Sequence, residues 1–223
     1  MKMTLASLAV IGLLGSAHTL AAEIDVTITN ATKNIYFTPL LVAAHSDSVF
    51  LFRSGETASA EIEAMAEGGD ISGLSSVATN AGAVVAEDPA GGILDPGQQA
   101  TASLDTGNAD RLTITAMLLP TNDGFVGLDS WAIPSTPGTY TISLNSYDAG
   151  TEANDELAAS MPNPPFINFG SGGTGVETTV TNNKVHIHPG NLGDSDPNGG
   201  LSDISSTTYR WLNPVAIVTV TVK

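Results

Sequence analysis

Four stretches of the chain alternate apolar and polar residues with a period of two. Ile24, Val26 and Ile28 interleave with Asp25, Thr27 and Thr29. Leu112, Ile114, Ala116 and Leu118 enclose Thr113 and Thr115. Tyr140, Ile142 and Leu144 alternate with Thr139, Thr141 and Ser143, and Val218, Val220 and Val222 with Thr219 and Thr221. Successive side chains of a strand point to opposite faces, so each stretch predicts a half-buried antiparallel strand with one face on a core. Shorter strands are expected at residues 40–43, 83–86, 99–104 and 185–188. Turn signals such as Asp95-Pro96-Gly97 and Pro137-Gly138 punctuate the series. Many short strands so punctuated predict an all-β fold, an antiparallel β-sandwich.

One segment breaks the period. Between Glu56 and Ala66 the residues Ile62, Met65 and Ala66 recur at helical spacing, with Glu61, Glu63 and Glu67 left to face solvent. Gly68-Gly69 ends this helix. A further turn of helix is expected at residues 71–77, so the crossover carries one or two short helices. No internal repeat or domain linker interrupts the chain.

Charge changes the picture. The 223 residues carry 7 basic and 23 acidic side chains, a formal net charge of −16. That surface repels phosphates and offers no basic stripe, which argues against nucleic acid as a partner; it favours cations. There is no cysteine, which removes disulfides, thiolate metal sites and thiol catalysis together. Lys2, the apolar run from Leu5 to Leu14 and the small residues up to Ala22 predict a signal peptide over residues 1–22, cleaved after Ala21 or Ala22. The run is shorter than the roughly 20 apolar residues a spanning helix needs, so no membrane insertion is expected. Residues 23–223 then form one secreted domain, periplasmic or extracellular.

Five fragments, read in order, carry a resemblance. They are Phe37-Thr38-Pro39 with Ala43-Ala44-His45-Ser46; Phe52-Arg53-Ser54-Gly55-Glu56 running on to Ala66-Glu67-Gly68-Gly69-Asp70; Pro120-Thr121-Asn122-Asp123-Gly124-Phe125-Val126-Gly127-Leu128; Tyr147-Asp148-Ala149-Gly150-Thr151-Glu152; and Trp211-Leu212-Asn213-Pro214 with Val215 to Ile217. The chain resembles the spondin-type domain, the N-terminal domain of F-spondin and mindin, in its bacterial branch. The resemblance implies an eight-stranded antiparallel sandwich similar to C2 domains, with one calcium ion held by loop carboxylates. The positions that match the family's ligands are Asp123, Asp148 and Glu152. Glu152 stands where animal members commonly carry Asp, which lengthens that arm by one methylene.

Calcium takes six to eight oxygens at roughly 2.3–2.6 Å, so carboxylates must converge from several loops. Asp123 follows one predicted strand and Asp148 and Glu152 follow another, and Asn154, Asp155 and Glu156 add oxygens nearby. The acids converge if those two strands run the same way, or if Phe125 to Leu128 forms part of a bent strand. Secondary metal candidates exist. Asp194-Ser195-Asp196-Pro197-Asn198-Gly199 copies the first half of an EF-hand loop through Asp194, Asp196 and Asn198, but Ser205 stands where its bidentate Glu belongs, and the segment reads as a polar turn. His186 and His188 share one face of a predicted strand, a spacing that suits copper or zinc, with His45 as the third ligand.

Enzyme signatures are missing: no Gly-x-Ser-x-Gly elbow, no His-Glu-x-x-His, no phosphate-cradling loop. The expectation is a non-enzymatic, secreted calcium-binding module for adhesion, engaging a protein or glycan ligand at the cell surface or in the matrix. The alternatives are a periplasmic or extracellular copper or zinc binder built on the His-x-His strand, and a structural surface protein whose calcium only stabilises the fold.

Overall fold

A computed structural model describes residues 22–162, 164, 166–167, 183–196 and 200–223; the predicted signal peptide up to residue 21, and Asn198, lie outside them. Among the described residues are ten strands and two helices. The chain opens with β1 (Glu23–Asn30), β2 (Tyr36–Phe37) and β3 (Leu41–His45). The helical crossover follows, α1 (Ala60–Gly68) and α2 (Ser72–Asn80), and then β4 (Val84–Glu87) and β5 (Gln99–Asp105). The remaining strands are β6 (Arg111–Leu119), β7 (Gly124–Ala132), β8 (Gly138–Asp148), β9 (His186–Ile187) and β10 (Ala216–Val222). All strand pairs are antiparallel, in the order β4-β3-β6-β7-β8-β10-β1-β5, with β2 joined to β6 and β9 to β8. The edge strands β4 and β5 lie against each other, so the sheet curls into a nearly closed, barrel-like sandwich.

The long strand β8 turns the corner. Gly138 to Leu144 pair with β10, and Asn145 to Asp148 pair with β7. On one side β1, β5 and β10 follow the alternation read from sequence: Ile24, Val26, Ile28, Ala100, Ala102, Leu104, Val218, Val220 and Val222 are buried, and the Thr and Ser residues between them are not. On the other side β6 departs from it. Every residue from Leu112 to Leu119 is buried, Thr113 and Thr115 included. Helix α1 packs on β6, and its Ile62, Met65 and Ala66 join the same core as Leu112, Ile114, Ala116 and Met117.

Helix α1 begins later than the hydrophobic spacing implied. Ser59 caps it, its hydroxyl accepting the Ile62 N–H at 3.2 Å. Gly69 closes it in the left-handed region at φ 72°. Ile62, Met65 and Ala66 face inward as expected, but Glu67 does not face solvent; it is 3% exposed. Helix α2 spans more than the single turn anticipated.

A candidate cation site between two loops

Strands β6 and β8 both run antiparallel to β7, so they run the same way and their C-terminal loops emerge at one end. Gly124, the first residue of β7, pairs directly with Asp148, the last of β8. That register sets Asp123 beside Asp148, and the Ala149 N–H donates to the Asp123 carbonyl at 3.2 Å. Beneath the loops Phe52, Phe125 and Tyr147 pack ring to ring, with centroids 5.1 to 5.5 Å apart. Gly127 makes room for them, since a Cβ there would stand 2.6 Å from the Phe52 ring. Phe125 and Tyr147 are cross-strand partners one residue inward from the Gly124–Asp148 pair, so this cluster packs the ends of β7 and β8 that carry the loops.

The three acids picked out by the resemblance lie in the same pair of loops, with Asp123 bonded to the backbone of Ala149 and Glu152. Asp123 and Glu152 are fully buried and Asp148 is 2% exposed. Asp123 Oδ2 accepts from the Thr151 N–H at 2.8 Å, the Thr151 hydroxyl at 3.3 Å and the Glu152 N–H at 3.1 Å. Its other oxygen, Oδ1, is buried and has no hydrogen-bond partner. Burial first, and then the charge of Asp148, push the Asp123 carboxyl up to about 6, against the pull of those three donors. Asp148 accepts from the Gly150 N–H at 2.8 Å and from the Asn154 amide. Glu152 is pushed up to about 8 by burial, with the charges of Glu67, Asp123 and Asp155 adding to it and the Asn122 amide opposing.

Several supporting residues were not legible as site residues in sequence. Asn122 is buried; its amide donates to Glu152 Oε1 and Asp155 Oδ1 at 3.0 Å each, and its carbonyl oxygen accepts the Glu156 N–H at 3.1 Å. Glu156 in turn accepts the N–H groups of Leu192 and Gly193 at 2.6 and 2.8 Å, anchoring the following loop. From the last turn of α1 the buried Glu67 adds its charge to those that push Glu152 up. Of these, Asp155 and Glu156 stood in the sequence as nearby oxygens, while Asn122 and Glu67 did not.

The secondary candidates divide. His186 Nδ1 stands 3.5 Å from Asp148 Oδ1. His188 is buried against Trp211, with centroids 5.1 Å apart; its Nδ1 accepts the Gly190 N–H at 3.0 Å, and its Nε2 is buried without a partner. Burial pushes His188 down to about 4, opposed by the charge of Asp148. His45 does not join them. It ends β3 opposite Arg111 at the start of β6, the other end of the sheet, where its ring nitrogens are engaged by the Ser46 carbonyl and the Thr113 hydroxyl. Asp194 accepts the N–H groups of Asp196, Leu201 and Ser202 at 2.9, 2.9 and 3.1 Å, so its carboxylate organises a turn. Asp196 is exposed beside it.

The donor set around Asp123 is oxygen-rich and anionic, which suits a hard divalent cation such as calcium, and the unpartnered Asp123 Oδ1 fits the same need. Among the described residues no three His, Cys, Asp or Glu side chains stand close enough together to hold a metal ion by themselves. Calcium also draws on backbone carbonyls, amides and water, so carboxylates need supply only part of its shell.

An antiparallel β-sandwich whose loops gather buried acids at one end is the class this architecture defines. Residues 29–166 match the Spondin_N family, and the chain belongs to it. Membership places it among β-rich extracellular modules. No curated protein matches the chain. No helix of the described residues is long and apolar enough to cross a membrane.

Proposed function

We propose that this chain is a secreted module whose loop acids Asp123, Asp148 and Glu152 hold one calcium ion, and that the loops so fixed engage a protein or glycan ligand at the cell surface or in the matrix. The observation that carries the reading is Asp123: a fully buried carboxyl with one oxygen unpartnered, set between two further buried acids. Leaving such a group charged and unpaired is costly, and a bound cation removes the cost. Calorimetric titration of metal-stripped protein with calcium tests it. Saturable binding near one equivalent is expected in the parent. In Asp123→Ala and Asp148→Ala affinity falls by more than about 100-fold, beyond the 10–100-fold cost of losing an outer-shell partner. Variants that bind as tightly as the parent would remove the assignment.

A second reading has its own observation. His188 Nε2 is buried without a partner, and both His186 and His188 lie within reach of the Asp148 charge. Two imidazoles and a carboxylate suit zinc or copper. Zinc and copper titration of the His186→Ala/His188→Ala double variant decides it: unchanged affinity eliminates this reading and leaves calcium.

A further inference from the structure

We infer that the outward face of β5, β1, β10 and the adjoining part of β8 binds the surface of ice. It does not depend on the calcium reading, and the partner it names is uncharged.

The register of these four strands is unbroken, with seven consecutive residue pairs in each of the three ladders that join them. It sets Thr141, Thr219, Thr27 and Thr101 in one row across the sheet. With the rows on either side the face has twelve positions. Nine carry Thr or Ser, and the others are Ile217, Gln99 and Asp25. None of the twelve is buried, while the residues between them face the core.

Threonine is common in strands, so its presence alone decides little. The absence of charge decides more. Other strands carry acid on residues that reach solvent, as at Glu87 of β4 and Asp129 of β7. In a chain with 23 acidic side chains this face holds one, Asp25. It is neutralised: Lys223 Nζ stands 2.9 Å from it, and the Ser103 hydroxyl donates to it at 2.7 Å. Glu23 and Asp105 come only at the margin, where they pair with each other across β1 and β5.

Those features select the partner. A charged partner would be steered by opposite charge, and the array has no net charge to offer. A sugar ring would need an aromatic plane to stack on, and none of the twelve residues is aromatic. Ice differs from both, because its lattice is a fixed array of hydrogen-bond donors and acceptors with no place for an ion. A hydroxyl both donates and accepts, so it stands in for a lattice water. Threonine adds a methyl group that sheds loosely held water, and its β-branching holds the hydroxyl in few rotamers. Cross-strand bonds fix the side chains further, Thr27 to Thr101 at 2.9 Å and the Gln99 amide to Thr29 at 3.0 Å. The repeat fits as well. Strands lie about 4.8 Å apart and alternate residues along one strand about 6.8 Å, close to the spacing of oxygen rows in ice.

Microscopy of ice growth and recrystallisation in solutions of the protein tests the proposal. The parent is expected to hold the freezing point below the melting point of ice and to slow recrystallisation. Thr27→Lys and Thr219→Lys place a charge in the middle of the central row and are expected to abolish both effects. Thr101→Lys does the same from the edge strand β5, at an exposed position where a long side chain leaves the fold intact. Ser76→Lys, the same change of charge on exposed α2, is expected to alter neither effect. Melting curves of the variants confirm that each is folded. A parent that leaves ice unaffected overturns the proposal, even if the face then holds a neutral polysaccharide or a second copy of the chain. Folded lysine variants as active as the parent, or a Ser76→Lys variant that loses activity with them, overturn it too, since the effect on ice would then lie elsewhere.

Discussion

At the scale of single residues the site is a problem in charge. In the metal-free protein Asp123 is pushed up to about 6 from 3.8 and Glu152 to about 8 from 4.5, chiefly by burial. The unfolded chain loses these protons first, so as pH rises the folded state binds more protons than the unfolded one and its stability falls. His188, pushed down to about 4 from 6.5, acts in the opposite sense below pH 6.5, where the unfolded chain takes up its proton first. Between pH 6.5 and about 8 it is chiefly Glu152 that acts. Melting curves of the metal-stripped parent should therefore show Tm dropping across that window, and calcium should restore more Tm at its upper end, because the ion needs the deprotonated carboxylates. A flat profile without metal would mean that the acids are not held as buried carboxyls.

At the scale of elements the site depends on how two loops are braced. Gly150 lies between Asp148 and Glu152 at φ 72°, and a Cβ there would stand 2.5 Å from the Lys184 backbone. Gly150→Ala is expected to cost more than about 1 kcal/mol in denaturant unfolding and to weaken calcium binding with it, since backbone atoms cannot move aside as a side chain would. Ser59→Ala removes the cap of α1 and should cost about 1 kcal/mol in the same measurement, with a smaller effect on calcium than Gly150→Ala. Strands were legible in sequence where one face meets solvent, as in β1, β5 and β10. Strand β7 was not assigned, because Gly124, Gly127 and the run Phe125-Val126 give no period-two signal in a segment buried on both faces. Nor could the pattern show that α1 packs on β6 or that Thr113 and Thr115 are buried. The convergence of Asp123 with Asp148 follows from both β6 and β8 pairing with β7, a fact of topology rather than of spacing. Glu67 and Asn122 stayed hidden for the same reason, since their burial is set by neighbours distant in sequence.

At the scale of the whole molecule, a β-sandwich without a disulfide confines its acids to surfaces and one interior cluster. Its formal charge of −16 gives it solubility and an attraction for cations, while the barrel-like curl of the sheet leaves β4 and β5 shielding each other's edges. Family membership explains the sandwich and the extracellular setting; the buried acids supply the reason to look for a metal. The most direct test is thermal melting of the metal-stripped parent and of Asp123→Ala, each with and without calcium. A ligand that binds only the folded state stabilises it by about 2.7 kcal/mol at one hundred times its Kd. The account predicts that saturating calcium raises the Tm of the parent by several degrees and leaves that of Asp123→Ala where it was. Equal shifts in both proteins, or none in the parent, would contradict it.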